Sequence, residues 1–214
     1  MQTIPSLFNL KDINPVVRLF IISDFFIVGG LGLITPIFAL FVTDFIEGAT
    51  IETVGLAMTI YLITKSVGQT PIGIFIDRWR GQKDDMLILI LSSLGFFVVS
   101  ISYMLIDTVL QLYIVQFFYG FLAAASFPTW VSVFTRSVDK GKEGFEWSIY
   151  QTMADFGAAI TAAVGSFIAA NYGFNAVFIL MATFSLVGTI SLISANKIMF
   201  GKHKRGKGVH TTGE

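Results

Sequence analysis

Six apolar stretches alternate with short polar connections along the 214 residues. They cover roughly 19–42, 54–76, 86–106, 109–134, 147–170 and 175–195. Each is about 20 residues or longer, enough to cross ~30 Å of hydrocarbon at ~1.5 Å per helical residue. The pattern predicts an all-α membrane protein with six transmembrane helices. It divides the chain into an N-terminal segment, 1–18, a six-helix domain, 19–196, and a basic polar tail, 197–214.

The placement of charge orients these spans. All but one of the 14 Lys and Arg lie in the two tails or in the second and fourth connections. The first, third and fifth connections carry none, and Asp44, Glu47 and Glu52 make the first of them acidic. Cytoplasmic loops retain basic residues, so both termini are expected in the cytoplasm and the chain in the cell (inner) membrane as a multi-pass protein. The polar start ends at Arg18 and the apolar run behind it is too long for a cleaved signal, so it reads as a retained anchor. The tail with Lys202, Lys204, Arg205 and Lys207 reads as a stop-transfer flank or a contact for anionic lipid.

Composition removes several function classes. The chain is 54% hydrophobic and 13% charged, against roughly 25% charge in soluble domains. Zero net charge gives no reason to expect a nucleic-acid partner. Without cysteine there is no disulfide and no thiolate metal site, and His203 and His210 both fall in the tail. No nucleophile–base set stands out, so no enzyme activity, metal or cofactor is expected.

Three ionisable residues fall inside spans: Asp24, Lys65 and Asp155. A charge at the bilayer centre costs about 2.5–3.5 kcal/mol, so each needs a partner or water. Lys65 lies roughly 17 Å into its span by helical rise, too deep to snorkel easily. Tyr61, Lys65 and Gln69 share one helical stripe. Gln151, Asp155 and Ser166 share another, through Ala158 and Ala162. Asp24 is the candidate for proton coupling, since a carboxyl in a low-dielectric cavity can load and release a proton. Asp24 and Pro36 recur 92 residues later as Gln116 and Pro128. Three spans per unit make the second unit inverted, the 3+3 arrangement of many secondary transporters. Gln116 is a candidate to hydrogen-bond a substrate. Pro36 and Pro128 are expected to bend their spans and free backbone carbonyls toward a cavity.

The loop between spans two and three reads Gly73-Ile-Phe-Ile-Asp77-Arg78-Trp-Arg80-Gly-Gln-Lys83. It resembles the signature of the major facilitator superfamily between its second and third helices. Gly73, Asp77 and Arg78 match, while Arg80 stands where the family usually has Gly. Gly32 to Pro36 resembles the family's Gly-x-x-x-Pro region, and Gly120 with Pro128 fits its fourth-helix motif with Gln116 in place of Arg. Gly157 and Gly165 fit the frame of the antiporter motif, with Thr161 and Ala162 in place of its central Gly-Pro. Gly173-Phe-Asn-Ala-Val-Phe resembles the turn before helix six.

The family fold has twelve helices in two halves, and this chain resembles the N-terminal half alone. The resemblance implies a half-size secondary transporter that moves a small solute by alternating access. The partner is then a second copy in a homodimer or a separate complementary half, besides membrane lipid. Second and fifth helices meet between halves in that fold, which implies a Lys65–Asp155 pair across two copies, either switching or static. It also implies a gating role for Gly73, Asp77, Arg78, Arg80 and Lys83, with Asp77 set against the positive N-terminus of a helix in the other half. The bases of that loop are expected to pair with Asp77 or with Glu143 and Glu146. Two other readings are a non-transporting assembly or regulatory module and a fragment of a twelve-helix transporter.

Overall fold

The structure, a computed structural model, describes residues 13–78 and 81–201. Expectations placed on Arg80, on residues 1–12 and on the tail from 202 onward lie outside the described residues.

Among the described residues the chain is helical throughout: α1 (Pro15–Ile34), α2 (Phe38–Phe45), α3 (Ile51–Arg78), α4 (Gln82–Ser102), α5 (Val109–Ser137), α6 (Glu143–Tyr172) and α7 (Phe174–Gly201). A 3-10 turn, Thr35–Ile37, joins α1 to α2, so the two make one span. Asn14 caps α1 by accepting a hydrogen bond from the Val16 amide at 3.0 Å, and Pro15 occupies a first-turn position where no amide is needed. Thr108 and Gln111 form a reciprocal capping box at the start of α5. Gly173, at φ 83°, closes α6 in the left-handed region and lets α7 start one residue later.

Five spans are long and apolar enough to cross a membrane by length and composition: Pro15–Phe45, Lys83–Ser102, Val109–Ser137, Glu143–Tyr172 and Phe174–Phe200. The 28-residue α3 has the length but not the apolar composition. Its middle carries Thr59, Thr64, Lys65, Ser66, Gln69 and Thr70, and no residue between 58 and 75 is buried.

The helices pack as a chain of neighbours. The first span lies against α6 and α7, α7 against α4, α4 against α5, and α5 against α3. Small residues allow the closest approaches. A Cβ on Gly165 would overlap the Leu33 carbonyl, and one on Gly120 would stand 2.6 Å from the Tyr61 carbonyl oxygen. Thr189 on α7 donates a buried hydrogen bond to Ser93 on α4 at 2.8 Å, the polar tie expected where lipid supplies no hydrophobic drive.

Two apolar clusters close the ends of the bundle. Phe20, Met86, Trp130, Phe134 and Leu192 belong to the cluster nearer the basic connections. Leu33, Phe41, Tyr103, Leu112 and Phe178 belong to the other.

The prolines behave unequally. Pro36 interrupts its helix with the 3-10 turn, whereas α5 runs on through Pro128 and α3 through Pro71. A proline removes the hydrogen bond to the carbonyl four residues before it, whether or not the helix continues.

Candidate functional site

Two cavities, each bordered by one of the apolar clusters, share Leu31, Tyr61 and Tyr119 as a common wall. The tyrosine rings stack with centroids 4.5 Å apart and planes at 22°. The first cavity, of about 310 Å³, is lined by Asp24 and Val28 of α1, Lys65 of α3, Phe127 and Trp130 of α5, and Tyr150 of α6. The second, of about 340 Å³, is lined by Thr35, Phe38, Met58, Tyr103, Gln116 and Met181.

Lys65 sits near the middle of α3. Its Nζ lies 5.1 Å from the centre of the Phe127 ring, within range of a cation–π contact. The Tyr150 phenol lies beside the Asp24 carboxyl in the same cavity lining. Trp130 stacks on Phe134 at 4.6 Å and 13°, and the Tyr150 ring lies 4.6 Å from the Trp130 ring at 37°. The buried Trp130 Nε1 and Gln116 Oε1 have no hydrogen-bond partner. Both belong to residues that line these cavities.

The structure thus brings Asp24, Lys65 and Tyr61 to one cavity, and Gln116 to the adjoining one that shares Tyr61. It leaves three candidates elsewhere. Gln69 is absent from both linings, and its Oε1 is buried without a partner. Gln151 donates from Nε2 to Asp155 Oδ1 at 2.9 Å, and both are exposed on α6. The packing that holds α3 is with α5 and α2, whereas α6 packs on the first span and α7. Among the described residues no ion pair joins Lys65 to Asp155 within the chain.

At the basic end, Arg136 is the cation that organises the loop. Its Nη1 lies 3.0 Å from Asp85 Oδ2, and its Nη2 lies 4.0 Å from Asp77 Oδ1. Asp85 is 2% exposed, Arg136 36% and Asp77 80%. Asp77 therefore faces Arg136 of α5 rather than Arg78 or Lys83. Lys83 Nζ lies 5.7 Å from the Phe200 ring, and Arg78 is exposed. Glu146 is fully buried and accepts from the Asp139 amide at 3.3 Å, while Lys142 pairs with Asp139 at 3.5 Å. Gly73, Asp77, Pro128 and Arg136 border an open groove of about 490 Å³ at this end.

The sequence that forms this helical bundle, with Asp24 and Lys65 in one cavity and the charged connection between α3 and α4, matches a known family model. The Major Facilitator Superfamily model matches residues 20–208. The chain belongs to the major facilitator superfamily. This is a family of membrane transporters. A relative from Methanocaldococcus jannaschii, named as an uncharacterised MFS-type transporter, is 26% identical over 184 residues. That match covers 86% of this chain and 46% of the relative, so the chain spans about half the length of the relative it matches.

Tyr119, Tyr150, Phe127 and Arg136 were not singled out as site residues by their sequence positions. Phe127 is one of 22 phenylalanines. Arg136 counts toward topology like any loop base, and nothing near it in sequence announces Asp85. Tyr119 and Tyr150 become cavity residues only when α5 and α6 are placed beside α3 and α1.

Proposed function

We propose that this chain is one six-helix half of a secondary active transporter, and that two parallel copies enclose the solute path between them. The observation that carries the reading is the cavity with Asp24 and Lys65 in a chain of this family. Charged groups in a span are costly and are retained where they meet a solute, an ion or each other. The relative that this chain half covers bears the name of a transporter, which supports transport as the activity.

The neighbour pattern supports a 3+3 inverted repeat. Exchanging the first three spans with the last three maps the first-span–α6 contact onto α5–α3, and the first-span–α7 contact onto α5–α4. Detail follows the same exchange: Gly32 meets Thr161 on α6, and 92 residues on, Ala124 meets Gly68 on α3. The basic connections support a cytoplasmic position for both termini.

The uncovered helices support the second copy. Phe156, Ile160 and Phe167 of α6 are 57%, 55% and 62% exposed. Beside them runs a small and polar face with Gln151, Asp155, Ala158, Ala162 and Ser166. On α3, Thr59, Ser66 and Thr70 are exposed. Polar faces in a membrane are covered by protein or water. Two parallel copies set α3 of one beside α6 of the other, with Lys65 near the level of Asp155. In this account the Lys65 ammonium alternates between Asp155 of the second copy and the cavity, which couples closure at the interface to occupancy of the site. Asp77 and Arg136, beside the open groove at the basic end, form the gate on that side.

The mass of the purified protein in nanodiscs, with lipid and scaffold subtracted, tests the reading. Twice 23.5 kDa is expected. A particle of 23.5 kDa alone would exclude the self-assembled carrier and assign the second half to a different chain.

A further inference from the structure

We propose that the solute is a small zwitterion with an apolar body, its cationic group held at Asp24 and its anionic group at Lys65. This rests on the reading of the chain as a carrier half and adds the chemical class of what it carries.

The inference starts from how the two charges are left. Asp24 and Lys65 line the same cavity of about 310 Å³ from different helices. No ion pair joins them. Each has a substitute neighbour instead: Lys65 rests over the Phe127 ring at 5.1 Å, and the Tyr150 phenol lies beside the Asp24 carboxyl. Neither neighbour neutralises a charge.

An acid and a base held apart in one low-dielectric space attract a solute that carries both signs. A simple cation satisfies Asp24 and leaves Lys65 uncompensated, and a simple anion does the reverse. A neutral solute displaces water from both and compensates neither. A zwitterion gives each of the two separated charges an opposite partner in one binding event, with a charge-assisted hydrogen bond at each end.

The remaining walls fit the rest of such a molecule. Tyr150 lies beside Asp24 with the Trp130 ring against it, which offers aromatic surface to the cationic end. The unpartnered indole Nε1 of Trp130 is a donor for an oxygen of the solute. Beyond the tyrosine wall, the second cavity of about 340 Å³ offers Phe38, Met58 and Met181 to an apolar body. The unpartnered Oε1 of Gln116 adds one acceptor there. Spaces of ~300–1,000 Å³ hold solutes from amino-acid to drug size.

The test is equilibrium dialysis against the full chain in nanodiscs with a panel of three-form probes. Phenylalanine, tryptophan and leucine are each compared with their amide, which is only cationic, and their N-acetyl form, which is only anionic. At least one zwitterion is expected to bind about tenfold to a hundredfold more tightly than either of its one-charge forms, the value of one charged hydrogen bond. Asp24→Asn should then remove the advantage over the N-acetyl form, and Lys65→Gln the advantage over the amide. A zwitterion that binds no better than its amide or its N-acetyl form overturns the proposal, as does a panel in which no zwitterion binds. These comparisons use the unaltered protein and do not depend on a variant folding. Counterflow in proteoliposomes separates this from the carrier reading. Charge-matched binding without counterflow sustains the site and removes the carrier, whereas counterflow indifferent to solute charge sustains the carrier and removes the zwitterion.

Discussion

Replacing Arg136 with Gln should destabilise the protein far more than replacing its exposed partner Asp77 with Asn. The magnitude follows from the burial of the two carboxylates. Asp85 is 2% exposed and lies 3.0 Å from the guanidinium, so losing Arg136 strands a buried charge. Breaking a fully buried pair from one side costs about 3–5 kcal/mol, whereas an exposed pair contributes about 0–1 kcal/mol. Arg136 itself is 36% exposed, which places the cost between these limits, at about 2 kcal/mol. Asp77 is 80% exposed and 4.0 Å away, so Asp77→Asn should cost under about 0.5 kcal/mol. The assay is thermal unfolding in one detergent at one scan rate, where ~2 kcal/mol corresponds to a fall of about 4–8 °C for a chain of this size. Arg136→Gln combined with Asp85→Asn should recover much of the loss, because the stranded charge is gone. Equal losses for Arg136→Gln and Asp77→Asn, or a double variant that simply adds the two single losses, would refute the reasoning.

Two further outcomes follow from contacts on either side of the cavity. Gly165→Ala should lower thermal stability by about 1–3 kcal/mol, because its Cβ meets the Leu33 backbone, which cannot rotate away. Gly157→Ala should cost less, because its Cβ meets the Phe25 ring edge at 2.9 Å and that side chain can shift; similar losses at both sites would contradict this. Asp155→Asn should impair counterflow of a bound solute, and adding Lys65→Gln should partly restore conformational exchange, read as protease or thiol-reagent access from each side. No restoration would separate Lys65 from Asp155.

Five of the spans were legible because membrane crossing demands length and apolar composition, both properties of consecutive residues, whereas α3 has the length alone. The same logic singled out Asp24 and Lys65, whose cost in a span is plain from sequence, and both line the cavity. What sequence could not supply was the neighbour of each face. The stripe of Gln151, Asp155 and Ser166 is a correct statement about one side of α6, but periodicity does not say whether that side meets the cavity, another helix or a second copy. Gln69 shares the stripe of Tyr61 and Lys65, yet one further turn of helix carries it past the cavity. Tyr150 reaches Asp24, and Arg136 reaches Asp85, across separations of 126 and 51 residues, and such pairs exist only once the helices are packed. Pro36 and Pro128 look alike in the sequence but act differently, since Pro36 meets a 3-10 turn while Pro128 lies within the continuous α5.

The most direct test of two copies sharing one path is crosslinking between them. The chain has no cysteine, so each introduced thiol is unique. A copy with Ser66→Cys on α3 is co-expressed with a differently tagged copy bearing Ala158→Cys, Ala159→Cys or Ala162→Cys on α6. Oxidation in the membrane should join the two tags for at least one of these pairings, and far more efficiently than either single-cysteine copy joins itself. No mixed product above the single-cysteine background at any of the three positions would contradict the paired carrier.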